Sequence, residues 1–127
     1  MWEYFNNNPI AAREEDCAIR AVAAALGVSW DKAFDMIARN AKQMGATMNR
    51  NAAWGSVLRQ HGFTKHIIPN SCPDCYDAAD FCLDHPKGVY VLGFDTHTAC
   101  VINGVLLDTF DSSDEIVTYY WHRKDDR

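Results

Sequence analysis

The spacing of apolar residues changes along the chain, and this change limits the possible folds more than any other feature of the sequence. Up to Gly62 apolar residues recur mostly at helical intervals, whereas after Pro86 they fall in short runs typical of strands. A doubly wound α/β sheet needs strands and helices in alternation, and this chain lacks that alternation. We therefore predict an α+β fold, with N-terminal helices packed on a C-terminal antiparallel sheet.

The individual elements follow from the same patterns. Apolar spacing favours helices over 17–26, from 30 to near Gly45, and over 51–60, each with a glycine close behind it that can end the helix. A fourth helix is predicted over 74–84, because Pro86 cannot continue it. Strand patterns cover 64–68 and 88–94, a hairpin over 97–109, and 115–121.

The composition is that of one folded domain. Of the 127 residues, 48% are hydrophobic and 23% are charged, and no linker, repeat or low-complexity segment interrupts them. We therefore assign residues 1–127 to a single domain. The five cysteines are an odd number scattered along the chain, which argues against a secreted disulfide framework.

The charge of the chain limits the partners that we expect. Twelve basic against seventeen acidic residues give a net charge of -5, which repels a phosphate backbone and an anionic membrane surface alike. The start of the chain lacks the pattern of a signal peptide, and no apolar stretch is long enough to span a bilayer. We expect a cytoplasmic monomer that binds neither nucleic acid nor membrane and uses no metal or cofactor.

A two-residue turn fixes the register of the predicted hairpin. Asn103 and Gly104 supply the two positive-φ residues that a type I′ turn requires. Because side chains alternate along a strand, His97 and Asp108 then lie on one face as diagonal neighbours, about 7 Å apart at the backbone. The same face is otherwise apolar, where an unpaired carboxylate is unfavourable, so we expect Asp108 to accept a hydrogen bond from His97.

Cys17 stands where a helix stabilises negative charge. At the first turn of a helix the unpaired backbone N–H groups and the helix dipole favour a thiolate over a thiol. Asp16 is placed to cap this helix, and Arg20, one turn further on, is expected to form an ion pair with Asp16. Cys17, His97 and Asp108 together give a nucleophile, a base and a group that orients the base.

Each of these residues also has a purely structural interpretation. Cys17 can be a small buried hydrophobic residue at a helix start. Asp108 can cap the loop that follows it, with His97 at a strand end. Cys100 is the cysteine nearest to His97 in sequence, but alternation places it on the opposite face, so we expect it in the core.

Several segments carry a family resemblance. They are Asn8-Pro9, the run DCAIRA at 16–21, SWD at 29–31, HPKGVYVL at 85–92, HTACV at 97–101, Gly104, DTFD at 108–111 and YYW at 119–121. In this order and spacing the chain resembles small phage and prophage proteins of the papain-like cysteine peptidase superfamily. The resemblance implies a minimal papain-like fold and a cysteine hydrolase that cleaves an amide bond of a peptide or protein substrate.

The resemblance fails at one position. Papain-like enzymes usually place a glutamine about six residues before the nucleophile, where it helps to form the oxyanion hole, and here that position is Ala11. Asn8 is the nearest upstream amide. We therefore predict Asn8 as the oxyanion donor, with a plain turn residue as the alternative, and a binding module without turnover remains a second functional hypothesis.

A second group of residues offers competing chemistry. Cys72, Cys75, Cys82 and His85 have ligand types that suit zinc, so a zinc-stabilised interaction domain is a third hypothesis. The Cys-x2-Cys pair also opens a predicted helix after a strand, as in thioredoxin-like redox proteins. Against zinc, the spacing places Cys75 and Cys82 on one apolar stripe of the helix predicted over 74–84, which indicates a buried face. Against a thioredoxin-like fold, which needs an earlier βα unit, the preceding part of the chain is predicted to be helical.

Overall fold

The computed structural model describes residues 1–12, 15–69 and 75–123. Within these residues the chain forms four helices and six strands. In chain order they are β1 (Trp2–Tyr4), α1 (Cys17–Leu26), α2 (Trp30–Met44), α3 (Asn51–Gln60), β2 (Phe63–Ile67), α4 (Ala78–Asp84), β3 (Val89–Gly93), β4 (Thr98–Ile102), β5 (Val105–Asp108) and β6 (Tyr119–Arg123).

The predicted α+β class is confirmed, but the sheet is mixed rather than antiparallel. The strand order is β1-β5-β4-β3-β6-β2. Four of the pairings are antiparallel, whereas β1 runs parallel to β5, with Glu3 opposite Leu107. The prediction missed β1 because three residues are too short to show a pattern, and their partners lie about a hundred positions away in sequence.

The predicted hairpin has the predicted register. Asn103 and Gly104 have φ angles of 50° and 77°, as a type I′ turn requires. Ile102 pairs with Val105, and Cys100 pairs with Leu107. This register sets His97, just before β4, close to Asp108, at the end of β5.

The helices cover both faces of the sheet. Helices α1, α2 and α3 pack on one face around a core that includes Val22, Ile37 and Trp54, and α1 lies against β4. Helix α4 packs on the other face through Phe81, against strand residues such as Leu92. The small side chains of α1 allow its backbone to approach the sheet closely, which brings the start of the helix near the start of β4.

Two elements have bounds that differ from the predictions by more than one residue. Helix α4 begins at Ala78, because Asp77 forms a capping box with Asp80 at that point. Cys75 precedes the helix and has a φ of 50°, so the predicted stripe that joined it to Cys82 is wrong. Strand β6 spans Tyr119–Arg123 rather than the predicted 115–121, because these are the residues that pair with β2 and β3. The predicted start of the fourth helix, at 74, lies outside the described residues.

No helix within residues 1–12, 15–69 and 75–123 has both the length and the apolar character that a membrane crossing needs.

Candidate active site

A groove of about 640 Å³ lies where the start of α1 meets the start of β4. Cys17 and His97 both line it, and Asp108 lies buried behind His97. Its wall is mixed: polar and charged side chains line it together with the apolar and aromatic side chains of Met48, Trp54, Phe94, Phe110 and Tyr119. Since a reactive thiol must be accessible and also sit beside a base, this groove is where nucleophilic chemistry is possible.

Cys17 is the first residue of α1, as predicted, and its thiol is partly exposed to the groove. Burial by itself raises the pKa of a thiol. Here a hydrogen bond with His97, the charge of His97 and a hydrogen bond from the Thr98 backbone outweigh that effect and hold the pKa of Cys17 below its usual value. Arg20 adds a further favourable charge. The surroundings of Cys17 therefore favour its thiolate form.

His97 connects the thiol to a carboxylate. Its Nε2 donates to Asp108 Oδ2 at 2.6 Å, which leaves Nδ1 for the pairing with Cys17. Burial lowers the pKa of an imidazole, but the hydrogen bonds and charges of Asp108 and Cys17 dominate and raise the pKa of His97 to about 9. The shifts of Cys17 and His97 both favour a thiolate–imidazolium pair.

Asp108 is 1% exposed, and all of its acceptor positions are occupied. Oδ2 accepts from His97 and, at 2.6 Å, from the Ser112 hydroxyl. Oδ1 accepts from the Thr109 backbone N–H at 2.8 Å and from Arg20 at 3.3 Å. Burial raises the pKa of a carboxyl group, but the hydrogen bonds from His97 and Ser112 outweigh it, so the pKa of Asp108 lies below its usual value. The carboxylate stays ionised and orients the imidazole.

Arg20 has a larger role than the sequence predicted. Its guanidinium forms the predicted ion pair with Asp16, one turn before it, and also reaches Asp108. Asp16 stands at the N-cap position of α1, as predicted, but its side chain accepts from the Trp30 indole at 2.9 Å and makes no capping hydrogen bond. Acidic and basic groups thus alternate from Asp16 through Arg20, Asp108 and His97, and every buried charge along this row faces one of opposite sign.

Asn8 lies behind the site, away from the groove wall. Its side-chain nitrogen donates to Asp16 Oδ2 at 3.4 Å, and the neighbouring Asn7 donates to the Arg20 carbonyl at 3.3 Å. Asn8 is buried and is not one of the residues that line the groove. In this position it holds the start of the chain to α1, and its assignment as oxyanion donor stays a prediction.

The competing cysteine group is not assembled within the described residues. Cys82 is a buried residue of α4, and Cys75 is disulfide-bonded, so neither presents a free surface thiolate to a metal. His85 stacks on Phe81, with ring centroids 3.8 Å apart. Residues 1–12, 15–69 and 75–123 contain no group of three potential metal ligands. Cys72, part of the zinc and redox hypotheses, lies outside those ranges.

Sequence reasoning missed two residues and one contact that shape the site. Ser112 showed only as part of a polar loop, although its spacing of four from Asp108 could have indicated a local hydrogen bond. The second partner of Arg20 is 88 positions away, so no local signal exists for it. The sequence shows Tyr119 only as part of the YYW run at 119–121, and the sheet pairing is what places it in the groove. Cys100, in contrast, lies in the core, as predicted.

The chain matches no protein-family model, no curated protein and no solved structure.

Proposed function

We propose that this chain is a cysteine hydrolase of the papain-like type that cleaves an amide bond through a thioester. The observation that carries the proposal is the continuous contact from the Cys17 thiol through His97 to Asp108 at the edge of an open groove. A partly exposed nucleophile, a base and an ionised orienting group are what acyl transfer by a thiol requires.

The reaction would begin with attack of the Cys17 thiolate on a carbonyl carbon. The bond between sulfur and carbon forms, and the carbonyl electron pair moves to oxygen. As the tetrahedral intermediate collapses, the leaving amine departs with its bonding pair and takes a proton from the His97 imidazolium. Water then attacks the thioester carbon while His97 takes its proton. The bond between carbon and sulfur breaks, the carboxylic acid is released, and the thiolate–imidazolium pair is restored.

The architecture supports the papain-like assignment. A nucleophile at the start of a helix packs against a sheet, and that sheet carries the base and the orienting carboxylate in the chain order Cys, His, Asp. The phage or prophage relationship rests on the sequence resemblance alone. The apolar and aromatic residues within the mixed wall of the groove would contact apolar side chains of a polypeptide near the bond to be cleaved.

Alkylation by iodoacetamide across pH tests the nucleophile. We expect Cys17 to react well below pH 8.5, about the pKa of an unperturbed thiol, because His97 stabilises the thiolate. A His97→Asn variant should lose this low-pH reactivity. A His66→Asn variant is the matched control, because His66 is exposed and stacks on Tyr120 away from the groove. Labelling of Cys17 that requires pH above about 8.5 in the unmodified protein would contradict the proposal.

Turnover tests the hydrolase step. Incubation with p-nitrophenyl acetate should acetylate Cys17, as intact-protein mass spectrometry would show, and the acetyl group should then be lost by hydrolysis. With a pool of internally quenched peptides, cleavage should decline as pH rises through about 9, because His97 then loses the proton that the leaving amine needs. A stable acetyl-enzyme with no peptide cleavage at any pH would contradict hydrolysis.

A further inference from the structure

Tyr119 lies in a row of residues that leads across the sheet to the nucleophile. Tyr119 in β6 pairs with Gly93 in β3, and Gly93 pairs with Thr98 in β4. The backbone of Thr98 donates a hydrogen bond to the Cys17 thiol. Tyr119 also packs against the core on the face that α1 covers. Residue 119 therefore lies two strands away from β4, the strand that contacts the thiol. It is at the same level along the sheet and on the face that α1 covers.

Gly93 lets the ring of Tyr119 cross the intervening strand. A Cβ atom at residue 93 would lie 2.0 Å from Cζ of Tyr119 and 2.2 Å from its Cε2. Since Cζ carries the hydroxyl, the tip of the ring lies above β3, and neighbouring strands are only about 4.8 Å apart. Gly93 is not among the residues with positive φ, so this close approach is what requires glycine. The hydroxyl is carried from β6 toward β4, where Cys17 lies.

The hydroxyl is a free donor. Burial and the nearby charge of Cys17 raise the pKa of Tyr119 to about 12, so the phenol keeps its proton at neutral pH. Within the described part of the chain it makes no hydrogen bond, and the Lys65 ammonium contacts only the face of the ring, 4.3 Å from its centroid. A protonated phenol without a partner, half-buried in the groove, can donate to a ligand there.

Three other side-chain donors along the groove are already committed. The Arg20 guanidinium binds Asp16 and Asp108, and the Trp54 indole donates to Asn51 at 3.2 Å. The Thr98 hydroxyl donates to the Leu92 carbonyl. One backbone donor remains beside the thiol, because the first N–H groups of a helix have no partner within the helix, and Cys17 is the first residue of α1.

We propose that the Tyr119 hydroxyl and the Cys17 backbone N–H form the oxyanion hole of this site. The inference rests on the proposed function and adds a catalytic residue to it. When the thiolate attacks, the carbonyl electron pair moves to oxygen, and Tyr119 donates a hydrogen bond to that oxygen without giving up its proton. The pair returns to re-form the carbonyl as the leaving group departs.

Two reactions of the same thiol separate this role from activation of Cys17. Acylation by p-nitrophenyl acetate passes through an oxyanion, whereas alkylation by iodoacetamide displaces iodide at a saturated carbon and does not. We expect Tyr119→Phe to lower the acylation rate about 10²- to 10³-fold, the usual effect of removing one oxyanion donor, and to leave the alkylation rate unchanged.

Tyr120→Phe is the matched control. Tyr120 is adjacent in sequence but points to the other face of the sheet, where it packs on Phe81 and stacks on His66. Removal of the Tyr120 hydroxyl should leave the rates of both acylation and alkylation unchanged. Gly93→Ala provides a second variant, because the new Cβ would displace the ring and should reduce acylation without altering the chemistry of residue 119.

Three results of these experiments would count against the proposed role of Tyr119. Equal acylation rates in Tyr119→Phe and the unmodified protein overturn the assignment and leave the activated thiol in place. Slower alkylation in Tyr119→Phe also overturns it, because the tyrosine would then act on the thiolate itself. If the unmodified protein is alkylated only at high pH and is never acylated, the proposed function fails, and this inference fails with it.

Discussion

At the scale of single residues, the site depends on how completely one buried carboxylate is hydrogen-bonded. The two oxygens of Asp108 accept hydrogen bonds from four donors, which belong to His97, Ser112, Thr109 and Arg20. A carboxylate with four donors has little freedom to rotate, so the imidazole is held in one orientation. This is why His97 can present its other nitrogen to the thiol.

Removal of the Ser112 hydroxyl tests this arrangement. Hydrogen bonds to charged groups contribute about 1.5–3 kcal/mol, so we expect Ser112→Ala to lower the free energy of unfolding by about that amount in urea titrations at neutral pH. Ser113→Ala is the control, because the Ser113 hydroxyl donates to the exposed Asp111, and surface substitutions usually change stability by less than about 0.5 kcal/mol. Equal stability of the two variants would show that Ser112 does not support Asp108.

Asp108 also makes the stability of the fold depend on pH. Because the folded-state pKa of Asp108 is below its unfolded value, its contribution to stability is present above the unfolded pKa and is lost as pH falls through the folded one. Ser112→Ala should reduce the depression of this pKa, so the variant should lose the contribution at a higher pH. Acid titrations of both proteins, followed by circular dichroism, measure the difference.

At the scale of elements, the first strand connects the two halves of the site. β1 pairs with β5, and the Asp108 carbonyl accepts from the Phe5 backbone N–H at 2.8 Å and from the Trp2 indole at 3.3 Å. The asparagines that follow then bind Asp16 and the Arg20 carbonyl at the start of α1. Residues 1–8 therefore link the strand that carries the carboxylate to the helix that carries the thiol.

A proline scan of this segment tests the link. Phe5→Pro removes the N–H that bonds to Asp108, and we expect it to slow alkylation of Cys17 at low pH. Tyr4→Pro is the matched control, because alternate N–H groups of a strand face opposite sides, so that of Tyr4 faces away from β5, where proline is tolerated at a sheet edge. Unchanged alkylation in both variants would show that β1 does not position the site.

At the scale of the whole molecule, the site lies where the two layers meet. His97 precedes β4 and Asp108 ends β5, whereas Cys17 comes from a helix on the face opposite to α4. The thiol meets the imidazole only because α1 lies against β4 in a way that brings their starts together. The assembled site is therefore a property of the complete fold rather than of any one segment.

The reactivity of Cys17 should consequently disappear with the fold. In a urea titration, we expect the rate of alkylation at low pH to fall with the same midpoint as the far-ultraviolet circular dichroism, because unfolding separates Cys17 from His97. A small thiol with no protein surface, such as glutathione, controls for the effect of urea on the reagent. Fast low-pH alkylation that persists after unfolding would mean that local sequence alone activates the thiol.

The sequence alone determined the elements that rest on local rules. Helical spacing predicted α1, α2 and α3, and the turn chemistry of Asn103 and Gly104 fixed the register that sets His97 beside Asp108. Both signals arise from residues within a few positions of each other, where backbone geometry leaves few choices. The pairing of two members of the site could therefore be predicted without any tertiary information.

Only the tertiary structure decided which distant groups meet. The parallel pairing of β1, the second partner of Arg20, the placement of Asn8 behind the site and the position of Tyr119 over Gly93 all join residues from separate parts of the chain. These contacts, whether between residues eight positions apart, as for Asn8 and Asp16, or more than a hundred apart, as for β1 and β5, depend on how whole faces pack. A three-residue strand or a single buried arginine carries no periodic signal of its partner. Local chemistry thus specified the candidate nucleophile and base, and packing specified what surrounds them.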